Sequence, residues 1–232
     1  MSTAAVVPAA GRGERLGPGI PKALRPLGGA PMLVHAVRAL SQARTVDVVI
    51  VAAPPDEVAE VRALLDSHEV PAEVAVVAGG ATRQESVARA LAALDADVDV
   101  VLVHDAARPL APSELVDAVA GAVRAGADAV VPGLPVVDTV KRVRAGEVVV
   151  ETLDRSALRA VQTPQGFRRV VLADAHALAE TVDATDDAGL VEAIGRPVVV
   201  IPGHPEAFKV TRPLDLVLAE AVLAQRRAER VG

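Results

Sequence analysis

Residues 4–24 read AAVVPAAGRGERLGPGIPKAL, an apolar run that stops in a loop of small residues and glycines, with Arg15 and Lys22 beyond it. The run Ala4–Pro8 is too apolar for a strand with one wet face, which predicts a strand covered on both faces of a sheet. Gly11 and Gly13 let backbone N–H groups approach an anion and adopt conformations that a Cβ forbids. Arg15 offers a planar fork and Lys22 a mobile point charge, so the pair suits a polyphosphate whose charge shifts as a phosphoryl bond changes hands. A glycine-rich turn with solvated arginines would read the same way from this stretch alone.

Two commoner glycine loops do not fit. The dinucleotide fingerprint needs a third glycine at position 16, where Leu16 stands, and an acidic residue about twenty positions on, where Ala30, Pro31 and Met32 stand. A P-loop needs Gly-Lys-Ser/Thr, whereas Lys22 follows a proline and precedes an alanine.

Working outward, apolar runs recur at Val46–Ala52, Val74–Ala78, Val98–His104 and Ala129–Pro132. Helical patterns separate them, with apolar residues at three- and four-residue steps: Leu33, Ala36, Val37, Leu40; Val58, Val61, Leu64, Leu65; Val87, Leu91, Leu94; Leu115, Val119, Ala122, Val123. Pro31, Pro55 and Pro112 fall near helix starts, where proline is tolerated. The alternation predicts an α/β fold: a mostly parallel, doubly wound, Rossmann-like sheet with helices on both faces and ligands at the carboxyl ends of the strands. Residues 1–232 are read as a single domain. The pattern breaks after Pro135, where Val136–Arg144, the turn pair Ala145-Gly146 and Glu147–Leu153 predict an inserted β-hairpin. This arm, about 134–155, carries an apolar face that one ribbon cannot bury, so a second copy of the chain is expected to cover it as a homodimer, the alternative being a hairpin folded back on its own domain.

Composition narrows the function. The 232 residues include 51% apolar ones, enough for a sizeable core. The absence of cysteine removes disulfides and thiolate chemistry, so any metal must take oxygen or histidine ligands. No uncharged apolar run approaches the ~18 residues of a membrane span, and Met1–Ala10 lacks the features of a signal peptide. A soluble cytoplasmic protein without membrane contacts is expected. The net charge of −6 and the near absence of aromatics argue against a nucleic-acid partner. Of 24 basic residues only Lys22, Lys141 and Lys209 are lysines, which marks either places where a guanidinium will not serve or mere compositional scatter.

Later clusters fit the opening loop. His104-Asp105-Ala106-Ala107-Arg108 follows the most apolar strand, so Asp105 is placed to ligate Mg²⁺ or another divalent cation and Arg108 to bond a phosphate. Asp105 could equally cap a turn, and His104 reads as a packed or loop-bonding histidine. Gly79-Gly80 leads into a helix start capped by Thr82, offering backbone amides, with Arg83 and Ser86 on one helix face. Asp138-Thr139, Asp154-Arg155, Thr163-Pro164-Gln165 and Thr185-Asp186-Asp187 read as polar turns or solvated charge. Lys209 stands in a strand-like stretch, Phe208–Thr211, and needs a partner there, for which a phosphate is suited.

Taken together, Pro8-Ala9-Ala10-Gly11 with Gly13, Arg15 and Pro21-Lys22, then His104–Pro109, Asp138-Thr139, Gln162–Gln165, Thr185–Asp187 and Phe208-Lys209 resemble the 2-C-methyl-D-erythritol 4-phosphate cytidylyltransferases of the non-mevalonate isoprenoid pathway. The likeness spans nearly the whole chain. It implies transfer of a cytidylyl group from CTP to methylerythritol phosphate with release of pyrophosphate. It further implies that Pro8, Ala9, Ala10, Gly11 and Gly13 line the CTP site. Arg15 and Lys22 would hold the phosphates, Gly79, Gly80 and Ser86 would read the cytidine, and Asp105 would ligate the metal. The acceptor would meet Asp105, Arg108, Thr139, Thr163, Thr185 and Lys209, joined by Arg155 from a neighbouring subunit. A ribitol-phosphate or other sugar-phosphate nucleotidyltransferase, or a nucleotide-binding module without chemistry, would share the first loop.

Overall fold

The computed structural model describes residues 1–11, 21–68, 70–178 and 184–231. Five strands form its frame: β1 (Ser2–Pro8), β4 (Val48–Ala53), β5 (Glu73–Ala78), β6 (Val98–Val103) and β7 (Ala129–Pro135), all largely buried except the edge strand β5, with β2 (Pro26–Leu27) and β3 (Ala30–Pro31) a minor antiparallel pair. The parallel order β6-β1-β4-β5 carries the expected doubly wound topology. Its intervening helices are α1 (Met32–Ser41), α2 (Val58–Asp66), α3 (Arg83–Ala92) and α4 (Ser113–Arg124).

Side-chain alternation assigns the two faces. Ala5, Val7, Val49, Val51, Val100 and Leu102 point into one core with α1, α2 and α4, while Ala4, Val6, Ile50, Val101 and Val103 point into the other with α3. Both faces are dry, which is why these strands read as unbroken apolar runs.

Past β6 the sheet becomes mixed, with an antiparallel strand set between β6 and β7. Strands β10 (Arg159–Val161) and β11 (Gln165–Arg168) run antiparallel to β7, and β12 (Val198–Pro202) runs parallel to it. Between β10 and β11 the chain leaves the ladder at Gln162–Pro164, with a cis peptide before Pro164. Helices α5 (Arg169–Ala177) and α6 (Asp187–Ala193) cover the same face as α3. Gly166 of β11 admits α4 closely, since a Cβ there would stand 2.5 Å from Val119 Cγ1. Helix α7 (Pro213–Val231) packs over Leu27, Met32 and Leu110.

The inserted hairpin is present, with β8 (Lys141–Arg144) paired to β9 (Val148–Thr152) in a sheet of its own. Its first limb is shorter than expected. The turn takes three residues, Ala145 to Glu147, with positive φ at Gly146 and Glu147. Every residue of both strands is exposed.

Candidate active site

The carboxyl ends of β1, β5 and β6 open on a cavity of about 210 Å³. Pro8, Ala9, Ala10 and Gly11 line one side, where the Ala9 amide continues the sheet by donating to Ala52 O at 2.8 Å. Lys22, at the start of a short 3-10 turn, joins them. Gly13 and Arg15 lie outside the described residues. Gly80, Thr82, Arg83 and Ser86 form the second wall, and Asp105, Ala106, Ala107 and Lys209 the third.

The glycine loop does not present its amides as expected. Gly79 N donates to Ala53 O, Gly80 N to Ser86 Oγ and Ala81 N to a Glu85 carboxylate oxygen. Ser86 is buried and its hydroxyl also donates to Thr82 O, so the side chain expected to read the cytidine braces the loop from the cavity wall. Thr82 caps α3 by accepting from Glu85 N. Gly79 is required by contact: a Cβ would stand 2.8 Å from Ala10 Cβ and 3.1 Å from Ala53 O.

Asp105 is the electrostatic centre. Lys209 Nζ lies 2.7 Å from its Oδ2, and Arg83 Nε donates to Oδ1 at 3.4 Å. Burial alone would raise the Asp105 pKa, but Arg83 and Lys209 outweigh it and hold the carboxyl well below the usual carboxylate range. Lys209 therefore has a carboxylate partner within the chain. Its surroundings also differ from expectation: Phe208–Val210 form a loop after the 3-10 turn Pro205–Ala207, not a strand, because the segment is tied down by a single backbone bond, Val210 N to Ala107 O, with no ladder beside it.

Behind Asp105 the polar groups are buried and paired. Thr163 Oγ1 accepts from Asp105 N at 3.0 Å and donates to His104 Nδ1 at 3.1 Å, while His104 Nε2 donates to Arg108 O. Burial pushes the His104 imidazole down to about 4, so it stays neutral and serves as the loop brace expected of it. Arg108 donates to Ala207 O and Val161 O, holding the Asp105 loop against the segment that carries Lys209. The turn read at Thr163–Gln165 is present at Thr163-Pro164, while Gln165 already opens β11, buried and donating to Asp186.

The fold brings Thr163 and Arg108 to Asp105, but not every acceptor-side residue to the cavity. Thr139 and Thr185 are exposed and line no part of it. Arg155 sits at the base of the hairpin, where its guanidinium donates to Val137 O. Two residues escaped sequence reasoning as site groups. Arg83 bridges Asp105 and Asp187, and Asp187, read as part of a turn, is fully buried at the start of α6. Arg83 had a signal, its position on the first turn of a helix at a strand end; Asp187 had none, since only folding brings it across 104 positions to Arg83.

For a metal, among the described residues Asp105 is the lone carboxylate lining the cavity, and no group of three or more acidic or histidine side chains there could hold an ion. A carboxylate keeps lone pairs beyond those used by two cations, and Mg²⁺ commonly takes one or two carboxylates and completes its shell with phosphates and water. The donor set fits a cation shared with a polyphosphate.

A doubly wound sheet whose strand ends gather small residues, two lysines and one ionised carboxylate is the framework of a nucleotide-dependent transferase. The chain matches the family model of 2-C-methyl-D-erythritol 4-phosphate cytidylyltransferase over residues 3–225, and it belongs to that family. It is 62% identical over 233 residues to the enzyme of that name from Streptomyces coelicolor, covering 97% of this chain and 86% of that one. Against the Frankia casuarinae enzyme of the same name the identity is 64%, covering 96% and 81%. The crystal structure of the Thermus thermophilus enzyme aligns with a TM-score of 0.76 at 41% identity, covering 96% of this chain and 98% of that one. Among the described residues, no helix is long and apolar enough to cross a membrane.

Proposed function

We propose that the strand-end cavity is the CTP site and performs the family's reaction: the cytidylyl group of CTP passes to 2-C-methyl-D-erythritol 4-phosphate, giving 4-diphosphocytidyl-2-C-methyl-D-erythritol and pyrophosphate. One observation carries the assignment of the site. Lys22, Lys209 and Asp105, far apart in sequence, meet around a cavity lined by the small residues of Pro8–Gly11.

The acceptor phosphate is already an anion, so no general base is needed to create the nucleophile; it attacks the α-phosphorus in line as pyrophosphate leaves. Catalysis is then placement and neutralisation of charge. Lys22, with Arg15, holds the triphosphate and offsets charge on the leaving group. Lys209, anchored by Asp105, meets the acceptor phosphate, and Arg108 and Thr163 keep Asp105 in place. Ala9, Ala10 and Gly11 pass beneath the nucleotide, and Gly80 and Ser86 form the wall facing the cytosine, with Gly79 packed against Ala10 and Ser86 behind it. A divalent cation held at Asp105 would supply further neutralisation of the phosphate oxygens.

The exposed hairpin supports a homodimer in which Thr139 and Arg155 of one copy complete the acceptor side of the other, together with Thr185. The CTP requirement supports a cytoplasmic place of work. Pyrophosphate release, measured with CTP against the other nucleotides and with methylerythritol phosphate against ribitol phosphate, tests the reading. Equal turnover of ribitol phosphate would overturn the acceptor assignment.

A further inference from the structure

His176, Asp187, Arg83, Asp105 and Lys209 form one chain of polar contacts from helix α5 to the cavity. His176 Nε2 donates to Asp187 Oδ1 at 2.9 Å, and Arg83 Nη1 donates to Asp187 Oδ2 at 2.6 Å. The same guanidinium reaches Asp105 Oδ1 only at 3.4 Å, whereas Lys209 reaches Asp105 Oδ2 at 2.7 Å. Among the described residues Asp187 is the one fully buried carboxylate. Burial by itself would raise its pKa, and His176 and Arg83 more than offset that, so it stays ionised.

A buried carboxylate is a poor way to join two helices, since apolar side chains of similar volume usually do as well or better. Helices α5 and α6 already have that contact through Leu172, Ala175, Ala188 and Val191. The charge of Asp187 therefore serves something else, and the distances indicate what. A guanidinium prefers to close its fork on one carboxylate through two parallel N–H bonds. Here the fork is divided, short to Asp187 and long to Asp105, which leaves the short contact of Asp105 to Lys209.

We propose that Asp187, braced by His176, is a positioning residue for cytidylyl transfer: it draws the Arg83 guanidinium away from Asp105, so that Asp105 remains available to Lys209 and to the ligands of the cavity. The proposal rests on the assignment of the cavity to CTP. Once the charge of Asp187 is removed, Arg83 has one carboxylate left in reach and closes its fork on Asp105.

The test compares Asp187→Asn in two backgrounds, wild type and Arg83→Ala, by kcat/KM for pyrophosphate release below the melting transition of every variant. Asp187→Asn lowers kcat/KM about tenfold in the wild type and less than about twofold beside Arg83→Ala, where no guanidinium remains to misplace. An equal cost in both backgrounds, no cost in the wild type, or failure of Asp187→Asn to fold overturns the proposal and leaves Asp187 structural or idle. Should Arg83→Ala fall below detection, Arg83→Lys gives the same comparison, because lysine cannot fork. Lys22→Ala in the same assay tests the cavity separately: full activity there sinks the site assignment, whereas its collapse with an equal Asp187→Asn cost sinks only the positioning role.

Discussion

The strand-end cavity and the hairpin arm solve opposite problems. Around the cavity, polar groups are buried and paired: Thr163, His104 and Gln165 each have partners, and Asp105 is held between two cations. The arm is paired only to itself and leaves Val143, Val148, Val149 and Val150 in solvent. One region is complete within a single chain, while the other has an apolar face too large for a free ribbon. On the function proposed above, the nucleotide half of the site is a property of the single fold, whereas the acceptor half calls for a second copy.

Lys22→Ala breaks the first half and has the largest expected effect, lowering kcat by about 10²–10³-fold while the KM for CTP changes far less. Steady-state pyrophosphate release reads this split; an unchanged kcat with a raised KM would assign Lys22 to uniform binding. Arg155→Ala breaks the second half, lowering kcat/KM for methylerythritol phosphate by about tenfold to a hundredfold and leaving CTP affinity alone. Mixing the two variants sharpens the contrast. Random reassortment makes half the dimers mixed, each with one intact cavity facing one intact arm, so activity recovers to about a quarter of wild type. No recovery in a mixture shown to exchange subunits would place both halves in one chain.

The two regions were not equally legible. The first four βα units stood out because strands covered on both faces must be apolar throughout, as at Ala4–Val7 and Val100–Val103. The later strands did not, because β10 is fully exposed, β12 largely so, and β11 is divided from β10 by the excursion at Gln162–Pro164. Apolar residues flanking Lys209 suggested a strand, yet they face a loop's packing against Ala107 and α7. The lysine bias was informative: Lys22 and Lys209 line the cavity, and Lys141 donates to Thr152 across the arm. Arg83 with Asp187 was legible only in three dimensions, since two charges on separate helices leave no local pattern.

A third experiment tests the buried polar shell behind the cavity. An unfolded histidine titrates near 6.5, whereas burial holds His104 at about 4. The unfolded chain therefore binds more protons between these values, and stability is fully present above about 6.5 and lost as pH falls toward 4. From this group alone the loss between pH 7 and pH 5 is about 2 kcal/mol. Asp105 and Asp187, both held below the usual carboxylate range, lose their contribution only at lower pH, below about 4. Urea unfolding at pH 7 and pH 5 should show a smaller difference for His104→Gln than for the wild type; an identical difference would mean that the shell is open to protons in the folded state.

The smallest effect probes where the two nucleotide-side loops touch. Gly79 has an ordinary negative φ, so its requirement is space and not backbone conformation. An alanine methyl would stand 2.8 Å from Ala10 Cβ, 3.0 Å from Ser86 Oγ and 3.1 Å from Ala53 O. Neither the sheet carbonyl nor the short Ala10 side chain can swing aside, so the Ala9–Gly11 loop must shift outward by a few tenths of an ångström. Such overpacking costs about 1–3 kcal/mol, and because it moves the loop beneath the nucleotide it should raise the KM for CTP several-fold, by about 3- to 10-fold, with little change in kcat. Gly121→Ala is the control, since a Cβ there meets nothing within 4 Å. If both substitutions leave the KM for CTP unchanged, the contact between Gly79 and Ala10 is a matter of packing alone, and the two loops do not share the nucleotide.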